Sequence, residues 1–157
     1  IDSRLADIFQ QAFVVFTTRD TSDDVVVAHV ARLRERALNR GAAVVIVAHS
    51  QGNFFANDYF ELLRTEEKSR TRIISVATPA SFTAGNGPHL TDNWDVIRSV
   101  PGSRDPNNQN VDTWQEAAEL DIYAHSFEKY YLNPAVVSRL KVLSAIRAAI
   151  SELEEEQ

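Results

Sequence analysis

The stretch AAVVIVAHSQGN, residues 42–53, decides the fold. Residues 42–48 form a continuous, β-branched apolar run without polar alternation, the pattern of a parallel strand covered on both faces. After His49, Ser50, Gln51 and Gly52, residues 53–64 take up helical spacing through Phe54, Phe55, Tyr59, Leu62 and Leu63. Strand, sharp turn and helix therefore follow one another, and the strand is expected at the centre of a sheet.

Working outward, residues 25–39 place Val26, Val30, Leu33, Ala37 and Leu38 at helical spacing with arginines between them, and Gly41 supplies a left-handed stop. Thr21, Ser22, Asp23 and Asp24 offer N-cap residues for that helix, and the apolar run 12–16 before them reads as a strand ending at Thr17 and Thr18. Downstream, residues 72–77 read as a second buried strand closed by Thr78 and Pro79. A long irregular region follows, marked by Gly85, Gly87, Pro88, Pro101, Gly102 and Pro106 and interrupted by a short element at 94–100. Helices are expected at 114–120 and 134–153.

Alternating strands and helices imply a parallel sheet flanked by helices. The expected fold is α/β, a three-layer sandwich with a short, mostly parallel sheet. In such sheets sites gather at the carboxyl ends of strands, where Ser50, the Thr78 loop and the Asp95 region all fall. With no repeats or linkers, residues 1–157 are expected to form a single domain. Because the sequence starts at Ile1 and not at Met, a second expectation is that this domain is the carboxyl-terminal part of a longer chain.

The composition excludes several classes. At 157 residues, 44% hydrophobic and 24% charged, the chain can build one core. A net charge of -6, with Glu152, Glu154, Glu155 and Glu156 gathered in the tail, argues against a nucleic-acid partner. Cysteine is absent, which rules out disulfides and thiolate metal sites and leaves the compartment open. No apolar run approaches the roughly 18 residues of a transmembrane segment, and no signal-peptide pattern occurs; the chain is expected to be soluble. No HExxH, glycine-rich phosphate loop or paired His–carboxylate spacing supports a metal or nucleotide role.

The chemistry-bearing feature is Ala48-x-Ser50-x-Gly52. Small residues two before and two after a serine allow a tight strand-to-helix turn that leaves the hydroxyl exposed. A serine hydroxyl is a weak nucleophile, so hydrolysis also needs a base beside it and donors for the oxyanion. The Gln51 amide, at the helix start, is suited to that second task. The plainer alternative is that Ser50 only caps the helix.

AHSQGN (48–53), together with downstream segments, resembles the carboxyl half of a lipase or esterase of the α/β-hydrolase superfamily, over roughly residues 41–132. The resemblance implies a minimal α/β-hydrolase-like fold in which an acid and then a histidine follow the serine. Asp95-Val96-Ile97-Arg98-Ser99-Val100-Pro101 is similar to the lipase segment whose triad aspartate opens an Asp-Ile-Val run closed by a proline. It implies Asp95 as the acid, with Asp92 as its rival; either could instead cap a loop. Among the histidines, His29 lies mid-helix, His49 adjoins the serine with a side chain expected to point away, and His89 precedes the acid. His125 alone has the family's order, and 125–132 (HSFEKYYL) resembles the family's histidine loop leading into an aromatic helix. By itself, a lone loop histidine is more often a surface residue.

The resemblance further implies an oxyanion hole. Gln51 would give one amide. The family's second donor sits in a glycine-rich loop, yet no glycine precedes Gly41; Thr17 or Thr18, or a strand upstream of Ile1, would have to substitute. Trp94, Trp114, Tyr123, Tyr130 and Tyr131 are expected mainly to pack, with lining of an acyl pocket as the alternative. The implied activity is carboxylic ester hydrolysis through an acyl-Ser50 intermediate, on a small-molecule or lipid-like ester, without cofactor or metal. The loop 80–110 could partly cover the cleft. Acyl transfer or thioester hydrolysis would use the same residues, and a non-catalytic hydrolase-like binding module is the reading from another class.

Overall fold

A computed structural model describes residues 23–156. The expected strand at 12–16, with Thr17 and Thr18, lies outside the described residues. Helix α1 (Asp23–Arg36) is followed by a 3-10 turn, Leu38–Arg40. The apolar spacing predicts one helix over 25–39, but Ala37 leaves helical geometry at φ -125° and Gly41, at φ 77°, closes the turn. Leu38 is buried in the tighter turn as it would be in an α-helix, so its spacing could not reveal the change.

Strand β1 (Val44–His49) lies parallel to β2 (Thr71–Val76), with Ile46 opposite Ile73 and Val47 opposite Ile74. A short third strand, β3 (His89–Leu90), pairs with the end of β2, Val76 opposite Leu90. The domain is thus mixed α/β with a three-stranded parallel sheet in the order β1-β2-β3. Among the described residues β2 is the middle strand, whereas the sequence places 42–48 at the centre; the strand expected beside it at 12–16 is outside those residues. β3 is too short and too polar in context to register in the sequence. Gly87 permits it, because a Cβ there would sit 1.9 Å from the Ile73 carbonyl oxygen.

Helix α2 (Gly52–Glu61) stops short of the expected end at 64, and a division follows before a separate short helix, α3 (Thr65–Lys68). Glu67 of α3 explains the division: its buried carboxylate receives Arg34 of α1 at 2.8 Å and Arg64 at 2.7 Å. The Arg34 guanidinium, more than the burial that opposes it, holds the Glu67 carboxyl far below the usual carboxylate range. Helix α4 (Trp114–Leu120) falls where expected. Helix α5 (Val137–Glu155) begins after the expected 134, since Asn133 Oδ1 accepts the Ala135 amide and Val136 is extended; proline biases the residue before it away from helix.

The alternation of β1 and β2 divides the core. Ile46, Ala48 and Ile73 pack with Val30 and Leu33 of α1 and with Phe55 and Tyr59 of α2. Val47, Ile74 and Val76 pack with Val142, Ile146 and Ala149 of α5. Burying each large aliphatic side chain is worth about 1.5–3 kcal/mol, and both strands collect that on two faces. Arg72 ties β2 to the end of α5 through Glu152 at 3.2 Å and, just past the helix, Glu156 at 2.6 Å. No described helix is long and apolar enough to cross a membrane.

Candidate active site

Ser50 sits where β1 ends and α2 begins, with φ of 55°. A non-glycine residue there costs of order 1–3 kcal/mol and needs its surroundings to hold it. They do: the Ser50 amide donates to the Val76 carbonyl at 3.1 Å, and the Ser50 carbonyl accepts the Asn53 amide at 3.1 Å. The buried Asn53 side chain reinforces both ends, with Nδ2 donating to Ser50 O at 2.8 Å and Val76 O at 3.2 Å. The turn is thereby stapled to the end of β2, and the Ser50 side chain is left free to project.

Asp95 arrives from the loop after β3 and caps a 3-10 turn, Val96–Ser99. Its side chain is fully buried, yet every lone-pair direction used has a donor: Oδ1 accepts the Ile97 amide at 2.8 Å and Oδ2 accepts the Tyr131 hydroxyl at 2.6 Å. Buried charge is tolerated only with such pairing.

His125 arrives from the loop between α4 and a π-helical turn, Phe127–Tyr131. Asp121, at the end of α4, shapes that loop, its Oδ2 accepting the amides of His125 at 2.8 Å and Ser126 at 3.0 Å. Ala124 takes a positive φ of 50° within it. The Val96 amide donates to the Tyr123 carbonyl at 3.1 Å, which locks the acid loop against the histidine loop.

These three elements bring Ser50, His125 and Asp95 into one chain of hydrogen bonds. His125 Nε2 lies 2.9 Å from Ser50 Oγ, and His125 Nδ1 lies 2.8 Å from Asp95 Oδ1. A carboxylate can only accept, so it selects the tautomer protonated at Nδ1 and leaves Nε2 to accept the Ser50 proton. The His125 side chain is 23% exposed. Such an arrangement can draw a proton from a hydroxyl and hold the resulting imidazolium against a carboxylate.

The rival residues lie elsewhere. Asp92 is buried among Trp94 N (3.0 Å), Asn108 Nδ2 (3.0 Å), Asn110 N (2.7 Å) and Tyr130 Oη (2.8 Å), a carboxylate that organises the 105–112 loop. His89 is directed at the Asp105 carbonyl, 3.3 Å away, and His29 lies on α1. Among the described residues the Gln51 amide has no backbone hydrogen-bond partner; Thr17 lies outside them. Trp94 donates its indole N–H to the Val111 carbonyl at 3.1 Å, whereas Tyr123 and Trp114 are exposed. Among the described residues no group of three or more His, Asp or Glu side chains converges to hold a metal ion.

Three contributors escaped sequence reasoning. Tyr131 links both aspartates, donating to Asp95 and accepting the Asp92 amide at 2.9 Å; burial first, then the Asp95 charge, pushes its phenol well above the usual range, so it stays a donor. Asp121 clamps the histidine loop. His49 faces that loop, its Nε2 2.7 Å from the His125 carbonyl oxygen. The sequence signals the tyrosine pair only as part of the segment after His125, and nothing local signals the other two. Compared with protein-family models, curated proteins and solved structures, the chain has no match.

Proposed function

We propose that this chain is a serine hydrolase of the α/β-hydrolase kind, and more particularly a carboxylic ester hydrolase. The observation that carries the proposal is the Ser50–His125–Asp95 chain at 2.9 and 2.8 Å, set on a strand-to-helix turn with Ser50 at φ 55°. In the proposed reaction Ser50 Oγ attacks the ester carbonyl carbon while His125 Nε2 takes its proton. The tetrahedral intermediate collapses as His125 returns that proton to the leaving alkoxide, forming acyl-Ser50. Water, deprotonated by the same imidazole, then releases the acid and restores Ser50. Asp95 stabilises the imidazolium and holds its tautomer throughout.

The Gln51 amide is the proposed first oxyanion donor, supported by its place at the start of α2 and by the lack of a backbone partner for it among the described residues. A Thr17 or Thr18 amide remains the proposed second donor, and loss of one such donor commonly costs about a hundredfold to a thousandfold in rate.

The test is covalent. A fluorophosphonate should label Ser50 alone, located by mass spectrometry, and nitrophenyl acetate, butyrate and octanoate should be hydrolysed by the wild type. Ser50→Ala should lose turnover by several orders of magnitude. Labelling at another serine, or full turnover by Ser50→Ala, refutes the proposal.

A further inference from the structure

The turn that presents Ser50 also carries a second histidine. Alternation along β1 sends His49 toward the α5 side of the sheet, where it is 9% exposed. Its ring centroid lies 4.8 Å from that of His125, 5.3 Å from Phe127 and 6.1 Å from Tyr131. Its Nε2 meets the His125 carbonyl oxygen at 2.7 Å. A carbonyl can only accept, so His49 Nε2 carries the proton and donates it.

The groups facing this ring are the His125 imidazole, the Asp95 carboxylate and the Tyr131 phenol. Burial, and then the neighbouring His125 ring, lower the His49 pKa from 6.5 to about 4, against the smaller opposing pulls of the bond to the His125 carbonyl and then of Asp95. His49 is therefore neutral near pH 7. That matters for its neighbour, because a ring this close that carried charge would oppose formation of an imidazolium on His125.

We propose that His49 is a positioning residue for His125, anchoring its main chain through the Nε2–H donor while remaining uncharged beside it; this presupposes the roles of Ser50 and His125 given above. His125 is then fixed at three points: its amide by Asp121, its carbonyl by His49 and its Nδ1 by Asp95. The anchor and the nucleophile are adjacent residues of one chain, so whatever fixes β1 fixes both sides of the Ser50–His125 contact. An aromatic ring kept only for packing would need no N–H in that place.

Two substitutions separate positioning from packing. His49→Phe keeps a ring and removes the donor; His49→Gln keeps an N–H of similar reach and removes the ring. The measurements are Ser50 phosphonylation rate, kcat and KM on nitrophenyl butyrate across pH, and folded fraction by circular dichroism. His49→Phe should lose about ten- to a hundredfold in kcat, as expected for a misplaced base, with KM changed by less than about twofold. His49→Gln should recover a measurable part of that loss. Wild-type rates in His49→Phe, or equal losses in both variants, overturn the proposal.

If the wild type itself fails to label at Ser50, the hydrolase proposal falls, and imidazole nitrogen NMR then judges the positioning claim alone. At about pH 6 His49 should be neutral and protonated on Nε2, its ordinary midpoint being displaced downward. A His49 protonated on Nδ1, or one that titrates in the usual imidazole range, overturns the claim whether or not either variant folds.

Discussion

Replacing Tyr131 with Phe isolates one atom of the buried network. The hydroxyl donates to Asp95 Oδ2 at 2.6 Å and accepts the Asp92 amide at 2.9 Å, with both aspartates fully buried. A hydrogen bond to a charged group is worth about 1.5–3 kcal/mol, and an orphaned buried amide costs about 1–3 kcal/mol. Because the two share one atom and water can enter the space left, these figures are not additive. The expected loss is about 2–4 kcal/mol, which for a domain of this size lowers the melting temperature by roughly 5–15 °C. Asp95 keeps the Ile97 amide and His125 as partners on Oδ1, so turnover should fall by only about tenfold, far less than for loss of a triad carboxylate. Urea unfolding of wild type and variant, with nitrophenyl ester turnover alongside, measures both quantities. A stability change below about 0.5 kcal/mol, within the range of ordinary surface substitutions, would refute the idea that this hydroxyl supports the two carboxylates.

Two further outcomes are expected. Asp95→Asn should retain the fold and lose turnover by roughly three to four orders of magnitude, whereas Asp92→Asn, whose carboxylate holds four donors, should lose about 2–4 kcal/mol of stability with the smaller effect on turnover; reversal of that pattern would exchange the two assignments. Acid should destabilise the domain through His49: its folded-state pKa of about 4 lies below the ordinary 6.5, so the unfolded chain binds the proton first. The contribution is fully present above 6.5 and declines as pH falls to about 4, by about 3 kcal/mol in all. Unfolding free energies of wild type and His49→Phe, followed by denaturant from pH 6.5 down to 4, should change by amounts that differ by about that much, and parallel pH profiles would contradict it.

The local elements were legible wherever short-range physics is decisive. The unbroken, β-branched apolar run ending at Ala48 carried the pattern of a strand buried on both faces, and the helical spacing of Phe55 and Tyr59 pointed both side chains into one core. Gly52 and Ala48 marked the tight turn at Ser50 because small residues are a local steric requirement. Chain order favoured His125 over His89, but order is not contact. The resemblance favoured Asp95 over its rival Asp92, but two aspartates three apart in one loop, both followed by turns, differ too little locally for spacing alone to say which meets His125. Tertiary structure decided it: Tyr130 and Tyr131, adjacent in sequence, point their hydroxyls at different carboxylates, Tyr130 at Asp92 and Tyr131 at Asp95. Likewise β3 exists because the Pro88 carbonyl accepts the Ser75 amide of β2 and the Leu90 carbonyl accepts the amide of Ala77 just after it, a pairing that no periodicity in two residues can encode. His49 shows the same division. Its place on the strand, turned away from Ser50, follows from alternation, but its hold on the His125 carbonyl joins residues 76 apart, and only the packed chain brings such distant groups within hydrogen-bond reach.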